Sequence, residues 1–251
     1  MPENQPPSRL LTAVRSTLFT VLFFAWTIVF CFVMVASFVL PLLWRYRIVR
    51  LYIRVTLVAL KAICGLDYRV RGAEHIPDEP SIIFSKHQST YENFVLIDAL
   101  PSSTYIAKRE LLYVPFFGWG MAALQYITID RNKGKKAINQ IIEQARVRFD
   151  LGLWVTIYPE GTRLKPGEFR EYKAGGALLA SATARKVVMV VHNAGEFWPR
   201  RAFLKWPGTV DFVIAPPYET AGKSAKVIRQ ETQEWMESES ATLHVPNRFP
   251  Y

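Results

Sequence analysis

Residues 81–100 read SIIFSKHQSTYENFVLIDAL, and this stretch decides the fold class. Its first five residues form an apolar, β-branched run that predicts a buried strand, Ser81–Ser85. A polar turn containing His87 follows, and the pattern from Tyr91 to Leu100 predicts a helix. A strand that passes directly into a helix is the repeating unit of α/β domains.

The same alternation continues on both sides of this stretch. Short β-branched and aromatic runs predict further strands at Asp67–Arg71, Thr104–Ala107, Tyr126–Asp130, Leu153–Tyr158, Val187–Val191 and Thr209–Ile214. Helical spacing of apolar residues predicts further helices at Lys135–Phe149, Ala174–Ala184 and Ala221–Glu237. We therefore predict an α/β body over residues 66–251, with a central, mostly buried sheet of about seven strands flanked by helices.

The N-terminal part of the chain has a different amino-acid composition. Residues 16–44 carry no charge, and 17 of these 29 residues are Leu, Ile, Val or Phe. As a helix the run would be about 43 Å long, whereas the hydrocarbon core of a bilayer is about 30 Å thick. A signal peptide has an apolar region of only about 7–15 residues. We therefore predict a membrane-embedded helix over residues 16–44, in preference to a soluble core helix.

Residues 45–62 predict a second, basic amphipathic helix. On a helical projection four of its five positive side chains fall within one narrow arc of an otherwise apolar helix, a pattern typical of a segment in the membrane interface. These side chains are Arg47, Arg50, Arg54 and Lys61. Pro41 is expected to kink the chain between the two helices. We predict that residues 1–65 form a membrane anchor, which either crosses the bilayer once or enters it and returns.

The charge balance supports a membrane surface over a nucleic acid. The chain has 31 Lys and Arg against 21 Asp and Glu, a net charge of +10. Residues 1–65 alone carry +6, so the much longer body carries only +4. The excess of positive residues after the apolar run favours a cytoplasmic body, and we predict a bacterial inner-membrane location. A disordered chain is excluded by the apolar content of 50%.

His87 is the histidine to which the sequence assigns chemistry. It precedes the predicted helix that begins at Tyr91, so its ring can reach Glu92 in the first turn. A carboxylate on one imidazole nitrogen fixes the tautomer and leaves the other nitrogen as a general base. The alternative is a structural helix start, with Ser89 or Thr90 as the cap and Glu92 as a partner of the helix dipole. The spacing alone leaves both interpretations open.

A second candidate site, Tyr158-Pro-Glu160-Gly-Thr-Arg163, follows another predicted strand. Arg163 can bind a phosphate through two hydrogen bonds, and Gly161 lets the backbone approach a ligand. The alternative is a turn with a surface Glu–Arg pair. The sequence contains no G-x-S-x-G elbow, P-loop or H-E-x-x-H motif. With four histidines and two cysteines, Cys31 and Cys64, we predict no metal site and no disulfide scaffold.

Together the two motifs resemble those of the glycerophospholipid acyltransferases, and most closely the 1-acyl-sn-glycerol-3-phosphate (lysophosphatidic acid) acyltransferases. The resemblance covers roughly residues 65–220. It includes the segment from Lys108 to Gly118, the strand end Ile129-Asp130-Arg131, and the block Val187–Asn193. Two positions depart from the family pattern: Glu92 stands where an aspartate is usual, and Met189 where a proline is common.

The resemblance implies that residues 66–251 are an acyltransferase domain. His87 would be the general base and Glu92 the group that orients it. Glu160, Gly161, Thr162 and Arg163 would form the acceptor's phosphate site, with Lys108 and Arg131 as further phosphate ligands. The donor would be acyl-CoA or acyl-carrier protein, and the product phosphatidic acid. No cofactor or metal would be needed, and the partners would be membrane lipids rather than nucleic acid.

Two other functions remain compatible with the sequence. An enzyme of the same superfamily can act on another lysolipid, such as lyso-ornithine lipid, with the same histidine and carboxylate. A non-enzymatic membrane-surface or nucleic-acid-binding protein would use the positive charge alone. The modest charge of the body, and the lack of an RNA-recognition or helix-turn-helix signature, argue against nucleic acid.

Overall fold

The computed structural model describes residues 8–114, 117–129, 135–246 and 248–249. A seven-stranded sheet lies at the centre of the described chain. The strands are β1 (Leu66–Arg71), β2 (Ile82–Ser85), β3 (Ser103–Lys108), β4 (Ile127–Ile129), β5 (Trp154–Ile157), β6 (Val187–His192) and β7 (Gly208–Ile214). Their order across the sheet is β1-β7-β6-β2-β5-β3-β4.

Five neighbouring strands of this sheet run in the same direction. β6, β2, β5, β3 and β4 are parallel, so their carboxyl ends lie at one edge. β7 is antiparallel to β6, and β1 is parallel to β7. In open α/β sheets, ligands bind outside the carboxyl ends of parallel strands. β2 and β5 are direct neighbours, with Phe84 paired to Ile157, and the two candidate motifs therefore leave the sheet side by side.

Helices cover both faces of the sheet. They are α1 (Arg9–Ala36), α2 (Leu42–Ala59), α3 (Tyr91–Ala99), α4 (Phe117–Ala123), α5 (Lys135–Asp150), α6 (Ala174–Thr183), α7 (Ala194–Phe197) and α8 (Ala225–Leu243). One apolar core joins α1, α2 and α3 to the first face of the sheet. A second core joins α5, α6 and α8 to the opposite face. The predicted α/β fold with a buried, helix-flanked sheet is confirmed.

The structure corrects two features of the body. α8 begins at Ala225, not at Ala221, because Gly222 takes a left-handed backbone conformation (φ 73°) and Ser224 caps the helix. The Ser224 hydroxyl accepts a hydrogen bond from the Val227 N–H, as an N-cap residue does. The short helices α4 and α7 were not predicted, since four to seven residues are too few to show a helical period.

The predicted single apolar helix over residues 16–44 is wrong in its bounds. α1 starts earlier, at Arg9, and ends at Ala36; a single 3-10 turn, Ser37–Val39, follows it. Pro41 disfavours a helical conformation at the residue before it, and Leu40 is accordingly extended. α2 therefore begins at Leu42, and the predicted helix 45–62 is observed as Leu42–Ala59 followed by a π-helical turn.

α1 is long and apolar enough to cross a membrane, yet one of its faces contacts the body. Ser16 and Phe19 are buried, and the Ser16 hydroxyl accepts a hydrogen bond from the Lys205 N–H. The ammonium group of Lys205 donates to the Thr20 hydroxyl. The other face exposes large apolar side chains, including Phe24. α1 thus combines a docked face with an apolar face that suits lipid.

Three of the four basic residues predicted to face lipid contact protein instead. Lys61 forms an ion pair of 2.7 Å with Asp67 at the start of β1. Arg50 donates to the Ile97 and Leu100 carbonyl oxygens, at 3.1 and 2.6 Å. Arg54 forms an ion pair of 2.6 Å with Asp98. These groups lie at the C-terminal end of α3, where cations interact favourably with the last carbonyls and the helix dipole. α2 is thereby bound to the helix that carries Glu92.

Candidate active site

His87 and Glu92 are in direct contact. His87 lies two residues beyond the end of β2, and Glu92 lies in the first turn of α3. The His87 Nδ1 and Glu92 Oε1 atoms are 2.7 Å apart. The structure therefore brings together the pair that the turn-and-helix spacing predicts.

The Glu92 carboxylate is held by the turn as well as by the histidine. It is fully buried. The Ser89 N–H donates to both carboxylate oxygens, at 3.1 and 2.9 Å, and the Gln88 N–H donates at 3.3 Å. Two consecutive backbone N–H groups of the turn therefore bind the carboxylate. The carboxylate is thus fixed in place.

This contact assigns the tautomer of His87. An ionised carboxylate only accepts hydrogen bonds, so the proton lies on Nδ1 and the lone pair on Nε2. Among the described residues, no group is hydrogen-bonded to Nε2, and the side chain retains 16% exposure. The ring can therefore accept a proton from an incoming hydroxyl group.

The second motif is tied to the first by a backbone hydrogen bond. The loop after β5 returns past His87, and the Leu164 N–H donates to the His87 carbonyl oxygen at 2.8 Å. Gly161 in this loop has φ 71°, in the left-handed region that favours glycine. The two motifs, distant in sequence, therefore form one structural unit.

Arg163 provides an unpaired positive charge in this unit. It forms no ion pair within the described part of the chain, and its buried Nε has no hydrogen-bond partner there. Burial raises the pKa of Tyr158 well above its usual value, and the positive charge of Arg163 acts in the opposite direction. Arg163 is thus available to an anion close to the residue that follows β5.

Glu160 lies away from solvent, against Lys86. Both side chains are almost fully buried, and the Lys86 Nζ lies 3.1 Å from Glu160 Oε1 and 2.7 Å from Glu237 Oε1. Burial raises the pKa of Glu160, and the charge of Lys86 opposes this effect. The arrangement differs from the surface Glu–Arg pair considered as the alternative. It joins the two motif loops to α8.

Replacing Lys86 with methionine is expected to destabilise the protein by about 3–5 kcal/mol at neutral pH, because it leaves the buried Glu160 carboxylate without a cation. Glu160 has a raised folded-state pKa, and such a group destabilises the fold above its unfolded-state pKa. The decrease in the free energy of unfolding should therefore be larger at about pH 8 than at about pH 5. Urea unfolding at the two pH values measures it. The control is Lys226→Met, which removes an exposed lysine of α8; equal stability of the two variants would contradict the prediction.

The remaining predicted ligands are dispersed or not described. Lys108 is exposed at the carboxyl end of β3, and Thr162 is half-buried in the loop. Arg131 lies outside the described residues. Among the described residues, no three His, Cys, Asp or Glu side chains converge as a metal site. His192, which the sequence left without a role, is buried and donates from Nε2 to the Lys86 carbonyl oxygen at 2.9 Å.

Lys173 is a candidate residue that the sequence analysis missed. Its N–H donates to the Pro159 carbonyl oxygen at 2.9 Å. Its side chain crosses Gly161 so closely that a Cβ there would lie 2.7 Å from the Lys173 Cε. It forms no ion pair among the described residues. No local signal in the sequence relates Lys173 to the loop, since the contact depends on how the chain returns.

Comparison with known proteins places this arrangement in a family. The model of the family described as Acyltransferase matches residues 67–193. This segment is half of the chain and contains both motifs. The chain belongs to the acyltransferase family. It is therefore an enzyme, and the non-enzymatic alternative is excluded.

Individual relatives agree with this assignment. A 1-acyl-sn-glycerol-3-phosphate acyltransferase of Pseudomonas aeruginosa is 37% identical over 239 residues, which cover 92% of each chain. Human 1-acyl-sn-glycerol-3-phosphate acyltransferase alpha is 30% identical, over 68% of this acyltransferase and 61% of the human protein.

A solved structure has the same fold. The crystal structure of the 1-acyl-sn-glycerophosphate acyltransferase PlsC from Thermotoga maritima matches with a TM-score of 0.75 and 23% identity, covering 96% of this chain and 100% of that one. With its apolar N-terminal helix, this acyltransferase is membrane-associated.

Proposed function

We propose that this enzyme transfers an acyl chain from acyl-CoA or acyl-carrier protein to the sn-2 hydroxyl of 1-acyl-sn-glycerol-3-phosphate, giving phosphatidic acid for phospholipid synthesis. The names of the relatives support this acceptor. The observation that carries the proposal is the 2.7 Å contact of His87 with Glu92, which leaves Nε2 without a hydrogen-bond partner among the described residues. The reaction needs no cofactor beyond the donor.

The chemistry is a direct transfer. The Nε2 atom of His87 takes the proton of the acceptor hydroxyl while its oxygen attacks the thioester carbonyl carbon. The tetrahedral intermediate expels the thiolate, which takes the proton from the imidazolium, and an ester replaces the thioester. Glu92 stabilises the imidazolium between the two steps. A positioned general base of this kind contributes about 10²–10⁴-fold to the rate.

The acceptor's phosphate would bind at the carboxyl edge of the sheet. Arg163, Lys108 and Lys173 supply positive charges that no described acid neutralises, and Gly161 and Thr162 are proposed as part of the same site. Arg131 remains a further proposed ligand. A carboxylate would repel the phosphate. We therefore assign Glu160 a different role in this site, which is to hold the loop in place through its contact with Lys86.

The anchor serves the same reaction. The acceptor resides in the bilayer, and the thioester donor is soluble and anionic. An enzyme that joins them needs an apolar surface in the membrane and an open site beside it, and the exposed face of α1 supplies the former. We propose a bacterial inner-membrane enzyme with its body on the cytoplasmic side.

Arg163→Ala is expected to raise the KM for 1-acyl-sn-glycerol-3-phosphate by about 10- to 100-fold, the equivalent of one or two charge-assisted hydrogen bonds. The effect on kcat should be much smaller, because Arg163 does not touch the reacting atoms. The KM of Arg163→Lys should lie between those of the wild type and Arg163→Ala, since lysine keeps the charge but cannot form two parallel hydrogen bonds with the phosphate. Initial rates in mixed micelles at saturating donor measure both constants.

The matched control for this prediction is Arg170→Ala, which removes an exposed arginine of the same loop. An unchanged KM in Arg163→Ala would remove Arg163 from the phosphate site. An equal rise in both variants would attribute the effect to the general positive charge of the surface.

A panel of acceptors tests the substrate class. Purified enzyme is incubated with 1-acyl-sn-glycerol-3-phosphate, lyso-ornithine lipid or monoacylglycerol, with acyl-CoA and acyl-carrier protein in parallel. We expect the phosphomonoester to have the highest kcat/KM. A preference for lyso-ornithine lipid or monoacylglycerol would overturn the proposed acceptor while leaving the acyltransferase chemistry intact.

A further inference from the structure

Tyr158 covers one face of the His87 ring. It is the first residue after β5, and its ring stacks on the imidazole with 3.8 Å between centroids and 14° between planes. The Tyr158 hydroxyl donates a hydrogen bond of 2.7 Å to Asn93 Oδ1. The Asn93 amide nitrogen in turn donates to the Thr90 carbonyl oxygen at 3.2 Å. The stacked ring is therefore fixed at its far end.

The contact with Glu92 leaves one motion of the histidine ring free. A single hydrogen bond at Nδ1 fixes the distance at that edge, but the ring can still turn about the bond and carry Nε2 sideways. A flat ring against the face of the imidazole prevents this turn. Because the base must be within about 2.6–3.2 Å of the proton that it takes, the direction of Nε2 is decisive for the reaction.

Two consecutive residues of α3 thus control the ring in different directions. Glu92 holds its edge directly, and Asn93 holds its face through Tyr158. We infer that Tyr158 and Asn93 are positioning residues for His87, which hold Nε2 towards the acceptor hydroxyl. The inference rests on the proposed function, in which His87 is the general base. The face of Tyr158 also favours the protonated ring that forms during transfer.

Variants of Tyr158 separate the two parts of this role. Tyr158→Leu removes the stacked ring and should lower kcat about 10²-fold, the usual effect of a misplaced reacting group. Tyr158→Phe keeps the ring and loses only the bond to Asn93, so kcat should fall about three- to tenfold. The KM for 1-acyl-sn-glycerol-3-phosphate should remain within about twofold in both variants, because neither side chain is proposed to touch the phosphate.

A double variant tests whether Asn93 acts through Tyr158. Asn93→Leu should lower kcat as much as Tyr158→Phe does, and combining them should cause no further loss, since both remove the same hydrogen bond. The matched control is Tyr218→Phe, because Tyr218 also donates to a side chain, the exposed Glu231. Its kcat should equal that of the wild type. Thermal unfolding is measured for each variant, and kcat is expressed per folded enzyme.

The outcomes distinguish the inference from the function on which it rests. An inactive wild type, or full activity of His87→Ala, would overturn the proposed function itself. An active, His87-dependent wild type with unchanged kcat in Tyr158→Leu would overturn only the positioning role. A rise in KM without a fall in kcat, or strictly multiplicative losses in the double variant, would also contradict it. A fall in kcat with unchanged KM, restored largely in Tyr158→Phe, supports it.

Discussion

His87→Ala is expected to lower kcat for acyl transfer by about 10²–10⁴-fold, the contribution of a positioned general base. The variant loses the only nitrogen lone pair that the structure places beside Glu92 and free of other partners among the described residues. The KM for either substrate should change little. Initial rates are measured with purified enzyme in mixed micelles, varying one substrate at a time while the other is saturating.

The control for this prediction is His75→Ala. His75 contacts the Ile214 carbonyl oxygen at the end of β7, and β7 runs opposite to β2. Its removal should leave kcat unchanged. Wild-type turnover in His87→Ala, with the fold intact, would show that the proton is taken by another group.

Glu92→Gln is expected to lower kcat by about 10²-fold or more, through the tautomer of His87 and the charge that forms on it. The glutamine amide can donate to Nδ1, which shifts the ring proton to Nε2 and removes the base. It also leaves the imidazolium without a counter-charge. The same kinetic assay measures the change, and a pH profile records whether activity recovers at any pH.

Stability must be measured beside this activity. The glutamine oxygen can still accept from the Ser89 N–H, so the turn should remain folded. Glu231→Gln, which neutralises a surface carboxylate paired with Lys223, is the control and should keep full activity. A folded Glu92→Gln enzyme with wild-type kcat would contradict the orienting role.

The sequence predicts this fold well because its strands are short, apolar and separated by helical periods. All seven observed strands overlap the predicted ones. The His87–Glu92 contact was also predictable, since a turn followed by a first helical turn brings the two residues together. Both results depend on local spacing, which a single sequence contains.

Contacts that depend on strand order were not predictable. Tyr158 meets His87, and Lys86 meets Glu160, because β2 and β5 are neighbours in the sheet. The spacing of the two motifs in the sequence does not require β2 and β5 to be adjacent in the sheet. Lys173 was missed for the same reason, because its contact with Gly161 is formed by a returning loop.

The basic stripe of α2 shows a different limit. A helical projection identifies which side chains share a face but not what covers that face. Arg50 and Arg54 share the arc predicted for lipid, yet they bind the end of α3. The arc itself was predicted correctly, but lipid was the wrong binding partner for Arg50 and Arg54. Carbonyl groups at a helix end and lipid phosphates attract the same cations, so the sequence pattern does not distinguish them.

Transfer to the acceptor's sn-2 hydroxyl is the central claim, and the position of a labelled acyl chain in the product tests it most directly. Purified enzyme is incubated with unlabelled 1-acyl-sn-glycerol-3-phosphate and a 13C-labelled acyl thioester, and the product is cleaved with phospholipase A2 before mass spectrometry. We predict labelled phosphatidic acid whose label is released entirely as free fatty acid. No labelled phosphatidic acid, or label retained in the lysolipid, would contradict the account.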